Sequence, residues 1–86
     1  MPTISVFLGI VIRMYFDDHN PPHFHAVYGE HEAQIGIETL DILEGGLPRR
    51  AASLVREWAE IHRAELRENW ARAVAHDELQ RIDPLD

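Results

Sequence analysis

The segment Asp17-Asp18-His19-Asn20-Pro21-Pro22-His23-Phe24-His25 gathers three of the chain's six histidines and two carboxylates around a pair of prolines. Imidazole is the side chain that changes charge near neutral pH and the commonest nitrogen ligand for metals. Two imidazoles close together serve either as an acid and a base or as a pair of ligands. Adjacent prolines fix their own φ and bias the residue before them toward extended geometry, so His23 and His25 follow a stiff lead-in.

Three chemistries suit this pattern. The first is a metal site: His23 and His25 alternate to one side of a strand with Cα atoms about 7 Å apart. His19 or Asp17 then closes the set from the loop, because most sites need three protein ligands. The second is acid–base cleavage of a phosphodiester, with His23 and His25 as base and acid, Arg13 stabilising the developing anion and Tyr15 stacking a base. RNA is a substrate only on this reading, which needs no metal. The third is a docking surface for a partner protein, made of His19, His23, His25, Tyr15, Arg13 and Gln34, with Trp70 at the helix end. This last reading best accounts for a domain with a wide apolar helix face, no phosphate-cradling loop and no activated serine; no cofactor is expected, a divalent metal being the one alternative.

Positioning these residues falls to two different kinds of element. Ile4 to Phe7 and Ile10 to Phe16 are rich in branched and aromatic residues on either side of Leu8-Gly9, as expected of two strands and a tight turn. His23 to Tyr28 and Glu32 to Ile37 make a second pair around Gly29-Glu30-His31. Alternation puts Ile10, Ile12, Met14 and Phe16 on one face with Phe24, Ala26, Ala33, Ile35 and Ile37. Arg13, Tyr15, His23, His25 and Gln34 then converge on the other face.

Beyond Gly45-Gly46-Leu47-Pro48 the period changes to 3.6. Ala51, Val55, Trp58, Ala59, His62, Leu66, Trp70 and Ala73 form one stripe, and Pro48 suits a first helical turn. As one rod, residues 48–74 would span about 40 Å, which overshoots a small sheet; a bend near His62 or an overhanging end is expected. Leu54 and Ile61 widen the stripe, either for a twisted sheet or for a second copy or a partner. Residues 76–86 form an acidic tail, expected to be loosely held.

Composition bounds the rest. A chain of 86 residues makes one domain with one small core. The absence of cysteine excludes disulfides and thiolate sites and makes a reducing cytoplasm the expected compartment. The apolar stretch broken at Arg13 is too short for a membrane span. A formal charge of -7 argues against general DNA binding, which relies on cations meeting phosphates. All eight basic residues are arginine, and seven lie from Arg49 to Arg81 among glutamates, the pattern of a salt-bridged helix surface.

Met1-Pro2-Thr3-Ile4, Asn20-Pro21-Pro22-His23-Phe24-His25-Ala26, His62-Arg63-Ala64-Glu65-Leu66 and Asn69-Trp70 together resemble the bacterial domain-of-unknown-function family 4160. The resemblance runs to about residue 74, and the Pro-Pro-His-x-His segment is its most specific part. It implies a small stand-alone protein encoded beside a second small protein, in some cases as a toxin-antitoxin pair. It supplies no established activity.

The expected architecture is therefore α+β: a four-stranded antiparallel sheet of two β-hairpins, residues 1–44, packed on one long, bent or overhanging C-terminal helix, residues 48–74. The expected role is protein binding in a two-gene, toxin-antitoxin-type module, with a histidine-dependent ribonuclease and a His-x-His metal domain as alternatives.

Overall fold

Leu8 and Gly9 both take positive φ, 50° and 81°, the left-handed pair that a two-residue turn between right-twisted strands requires. They join β1 (Thr3–Phe7) to β2 (Ile10–Arg13), and a turn at Gly29 (φ 60°) joins β3 (His23–Tyr28) to β4 (His31–Gly36). The computed structural model describes residues 2–86. Both expected hairpins are present, and β2 ends at Arg13, short of Phe16.

A fifth strand, β5 (Ile42–Gly45), corrects the four-stranded expectation; the sheet is antiparallel throughout in the order β1-β2-β3-β4-β5. Sequence patterning hides β5 because Ile42 and Leu43 are adjacent rather than alternating and all four residues are exposed. The turn that leads into it is hidden too. Leu40 is buried with φ 61°, a left-handed conformation that a leucine does not advertise. Its N–H donates to the Gly36 carbonyl at 2.9 Å, and the Gly36 N–H donates to the Asp41 carbonyl at 3.0 Å.

Two helices replace the single one expected: α1 (Arg49–Ile61) and α2 (Arg63–Val74), broken at His62 (φ -109°, ψ 21°). The break falls where length demanded a bend. The molecule measures 33 × 25 × 22 Å, and an unbroken helix over the same residues would be about 39 Å long. Glu65 in the first turn of α2 accepts from His62 Nδ1 at 2.5 Å, at the helix end where a carboxylate is favoured.

The core lies between one sheet face and the helices. Ile10, Ile12, Met14, Phe24, Ala26, Ala33, Ile35 and Ile37 meet Ala51, Val55, Trp58 and Ala59 of α1 and Leu66 and Ala73 of α2. Trp58 is the anchor, with its ring 5.3 Å from Phe7 and edge-on to Phe24 at 5.9 Å. Ile61, on the shoulder of the expected stripe, is exposed instead.

The tail beyond α2 has no regular structure yet is tied down at several points. Ile82 is buried, and its N–H donates to the Ile4 carbonyl at 2.8 Å. Trp58 Nε1 donates to the Asp83 carbonyl at 2.8 Å. Buried Asn69 donates to and accepts from the Gln80 backbone at 2.8 and 2.9 Å. A tail expected to be loose thus closes one end of the core. Among the described residues no helix is long and apolar enough to cross a membrane.

Candidate functional site

Strand alternation and register build the site. His23 and His25 lie on the sheet face opposite the core that Phe24 and Trp58 fill; Arg13 of β2 pairs with His25 from one side and Gln34 of β4 from the other. The two rings stand 5.3 Å apart, as the period of two requires.

They are covered rather than displayed. His23 is 4% exposed and His25 6%. Trp70 of α2 lies against His23 at 5.4 Å, and Tyr15 meets His25 edge-on at 4.5 Å. Asp18 closes the top from the loop after β2, a loop that includes the cis Asn20–Pro21 peptide bond.

The hydrogen bonds fix which nitrogen faces which way. His23 Nδ1 lies 2.8 Å from the Pro21 carbonyl, which can only accept, so Nδ1 carries the proton. His25 meets a carboxylate at each ring nitrogen, Nδ1 with Glu32 Oε2 at 3.1 Å and Nε2 with Asp18 Oδ2 at 2.8 Å. Both Nε2 atoms then turn toward one oxygen, Asp18 Oδ2, at 3.1 Å from His23 and 2.8 Å from His25. His23 Nε2 is buried and, though 3.1 Å from that oxygen, has no hydrogen-bond partner.

The structure sets Asp18 beside the two imidazoles, in place of the Asp17 or His19 expected there. Asp17 is exposed and points instead to His76, 3.4 Å from its Nε2. His19 is exposed and takes no part in the cluster. Asp18 supplies the third group, and one imidazole nitrogen each of His23 and His25 and a carboxylate oxygen of Asp18 lie within 4.8 Å of one another, a grouping that could hold a metal ion. Glu32 is the other residue not singled out from sequence. It sits on the polar face of β4, and the register places it diagonally across the hairpin from His25, since Val27 pairs with Glu32 and His25 with Gln34. That diagonal is the signal that identifies it.

The remaining sequence candidates form the surroundings. Tyr15, Gln34, Arg13 and Trp70 are all half-buried. Arg13 makes no side-chain hydrogen bond or ion pair among the described residues. No basic side chain meets the Asp18 carboxylate within ion-pair distance there except the two imidazoles.

Fold and site together define a small α+β domain with a nearly buried cluster of two histidines and a carboxylate. Residues 9–71 match the family described as Domain of unknown function (DUF4160), and the chain belongs to that family. The match takes in the loop, both histidines, β5 and most of the helical layer, while Met1 to Ile4 fall outside it. No curated protein and no solved structure matches the chain.

Proposed function

We propose that the chain is a metal-binding domain whose ligands are Nε2 of His23, Nε2 of His25 and a carboxylate oxygen of Asp18. The observation that carries this reading is the way each histidine spends its other nitrogen. Ligating histidines characteristically donate Nδ1–H to a carbonyl or a carboxylate, which fixes the ring and aims Nε2 at the ion. His23 does so to Pro21, and His25 has Glu32 placed for the same role at Nδ1 once an ion takes the place of the proton between its Nε2 and Asp18.

A lone pair on His23 Nε2 buried beside a carboxylate oxygen, with no donor to meet it, is a costly arrangement without a cation or an added proton. Bonds of about 2.0–2.1 Å at tetrahedral angles put ligand atoms about 3.3 Å apart. The spacings of 2.8 and 3.1 Å to Asp18 are close to this, and the three atoms all lie within 4.8 Å of one another. Two imidazoles and one carboxylate suit zinc or another first-row divalent ion over magnesium or calcium, which prefer oxygen ligands. Three protein groups leave at least one position for water or substrate.

The ribonuclease reading needs both rings to reach a phosphodiester, and their burial gives a polymer no direct approach. Protein purified without a histidine tag should bind zinc at one equivalent by calorimetry. Binding should collapse in His23→Ala and His25→Ala. Less than about a tenth of an equivalent, with no rise in thermal midpoint on adding zinc, would end the proposal.

A further inference from the structure

The two edges of the sheet are treated differently. At β1 the chain covers its own edge: the Ile82 N–H bonds the Ile4 carbonyl, and the Arg81 guanidinium reaches the Thr3 carbonyl at 3.4 Å. β5 pairs only with β4, and no segment among the described residues covers its outer side. A bare edge strand presents unpaired N–H and C=O groups to any extended chain.

The helix layer stops short of the same edge. Ile42 pairs with Ile35 and so faces the helix side of the sheet, yet Ile42 is 45% exposed where Ile35 is 4%. Between them and α1 lies a cleft of about 450 Å³ lined by Ile35, Leu40, Ile42, Ala52, Ser53 and Arg56, with Asp41 at its rim. Through Ser53 it runs into a second depression of about 260 Å³ beside Arg49, Arg50 and Leu54.

The charge along this path opposes that of the chain. Formal net charge is -7, but the two depressions carry three arginines against one aspartate. Arg49 and Arg50 lie in or beside the first turn of α1, which has no acidic residue, at the helix end where cations are disfavoured. Arg49, Arg50 and Arg56 have no carboxylate within ion-pair distance among the described residues; Arg56 reaches only the Leu40 carbonyl, at 3.5 Å. A sheet edge, an apolar cleft and unpaired arginines side by side match the needs of one ligand class.

We infer that β5 is a docking edge for an extended acidic segment of a partner protein, which adds as a sixth strand. Main-chain bonds to β5 hold it, an apolar side chain fills the cleft over Ile42, and its carboxylates meet Arg49, Arg50 and Arg56. The surface is separate from the histidine cluster and does not depend on metal.

A short capped peptide alternating valine and glutamate serves as the probe, and its valine–lysine counterpart as the control. Fluorescence anisotropy should show saturable binding of the first and none of the second. Hydrogen exchange should slow at the amides of Ile42 to Gly45. Arg49→Glu and Arg56→Glu should each weaken binding by about tenfold or more, and Ile42→Asp should abolish it; all three positions are exposed, so circular dichroism should be unchanged. No saturable binding, equal binding of the lysine peptide, or protection at other strands would overturn the inference. So would self-association of the free chain that protects β5, which assigns the edge to a second copy.

Discussion

His25 is held between two carboxylates, its Nδ1 3.1 Å from Glu32 Oε2 across the β3–β4 hairpin and its Nε2 2.8 Å from Asp18 Oδ2. Glu32 is half-exposed and offers no ligand atom to the cluster, so its effect on a bound ion runs through the imidazole. Glu32→Gln should therefore weaken zinc affinity by about 10–100-fold without abolishing binding, the range seen when outer-shell partners are removed. A titration following the visible spectrum of cobalt(II) reads both affinity and ligand set. An unchanged dissociation constant would remove Glu32 from the site.

Asp17 and Asp18 are adjacent in sequence and opposite in role. Asp18→Asn should lose more affinity than Glu32→Gln, because it removes a ligand rather than a ligand's support. Asp17→Asn should leave the titration unchanged, since that side chain points to His76. Equal effects at the two positions would mean that net charge, and not coordination, sets the affinity.

Asn69 is 1% exposed, and both ends of its amide are bonded to Gln80. Asn69→Ala leaves a backbone N–H and a carbonyl without partners, at a cost of about 1–3 kcal/mol. Urea unfolding should show a lower midpoint and an unfolding free energy reduced by that amount. Hydrogen exchange at Ile82, whose N–H is held by Ile4, should quicken more than at the sheet centre. A loss spread evenly over the molecule would count against a tail docked as a unit.

Glu38 lies below its ordinary carboxylate value of 4.5, first because Arg67 donates to both its oxygens, at 2.8 and 2.6 Å, and then through the charge of that guanidinium. A carboxylate lowered in the folded state stabilises at pH above the unfolded value, and that contribution disappears as pH falls through the lowered one. The pair is exposed, so the effect is small. Glu38→Gln should cost stability at neutral pH and converge with the parent as pH falls through the lowered Glu38 value. Convergence at higher pH instead would contradict the sign.

Gly45 closes β5 with φ 76°, and a Cβ built there would overlap the Glu32 carbonyl oxygen. Gly45→Ala should loosen β5 against β4 and, through Glu32, weaken the hold on His25. Exchange at Gly46, whose N–H donates to the Glu32 carbonyl at 3.1 Å, is the direct readout. Protection there equal to the parent would show that the strand tolerates a side chain.

Much of this arrangement is legible in the residues. Alternation in β2, β3 and β4 assigns Arg13, His25 and Gln34 to one face, and the helical stripe identifies Trp58, Val55 and Leu66 as core. The break at His62 follows from length alone. What escapes is decided by tertiary context. β5 has neither alternation nor burial of its own, and its lead-in depends on a left-handed Leu40. The choice of Asp18 over Asp17 depends on the path of the loop, which no spacing rule supplies. Burial of the histidines depends on Trp70 arriving from α2, more than forty residues away in the chain.

Long-range proton–nitrogen NMR of the imidazoles during a zinc titration tests the site most directly. At one equivalent, Nε2 of His23 and Nε2 of His25 should shift together while their Nδ1 atoms stay protonated, and His19, His31, His62 and His76 should not move. Unmoved Nε2 signals at 23 and 25, or shifts confined to the other four histidines, would contradict the metal site.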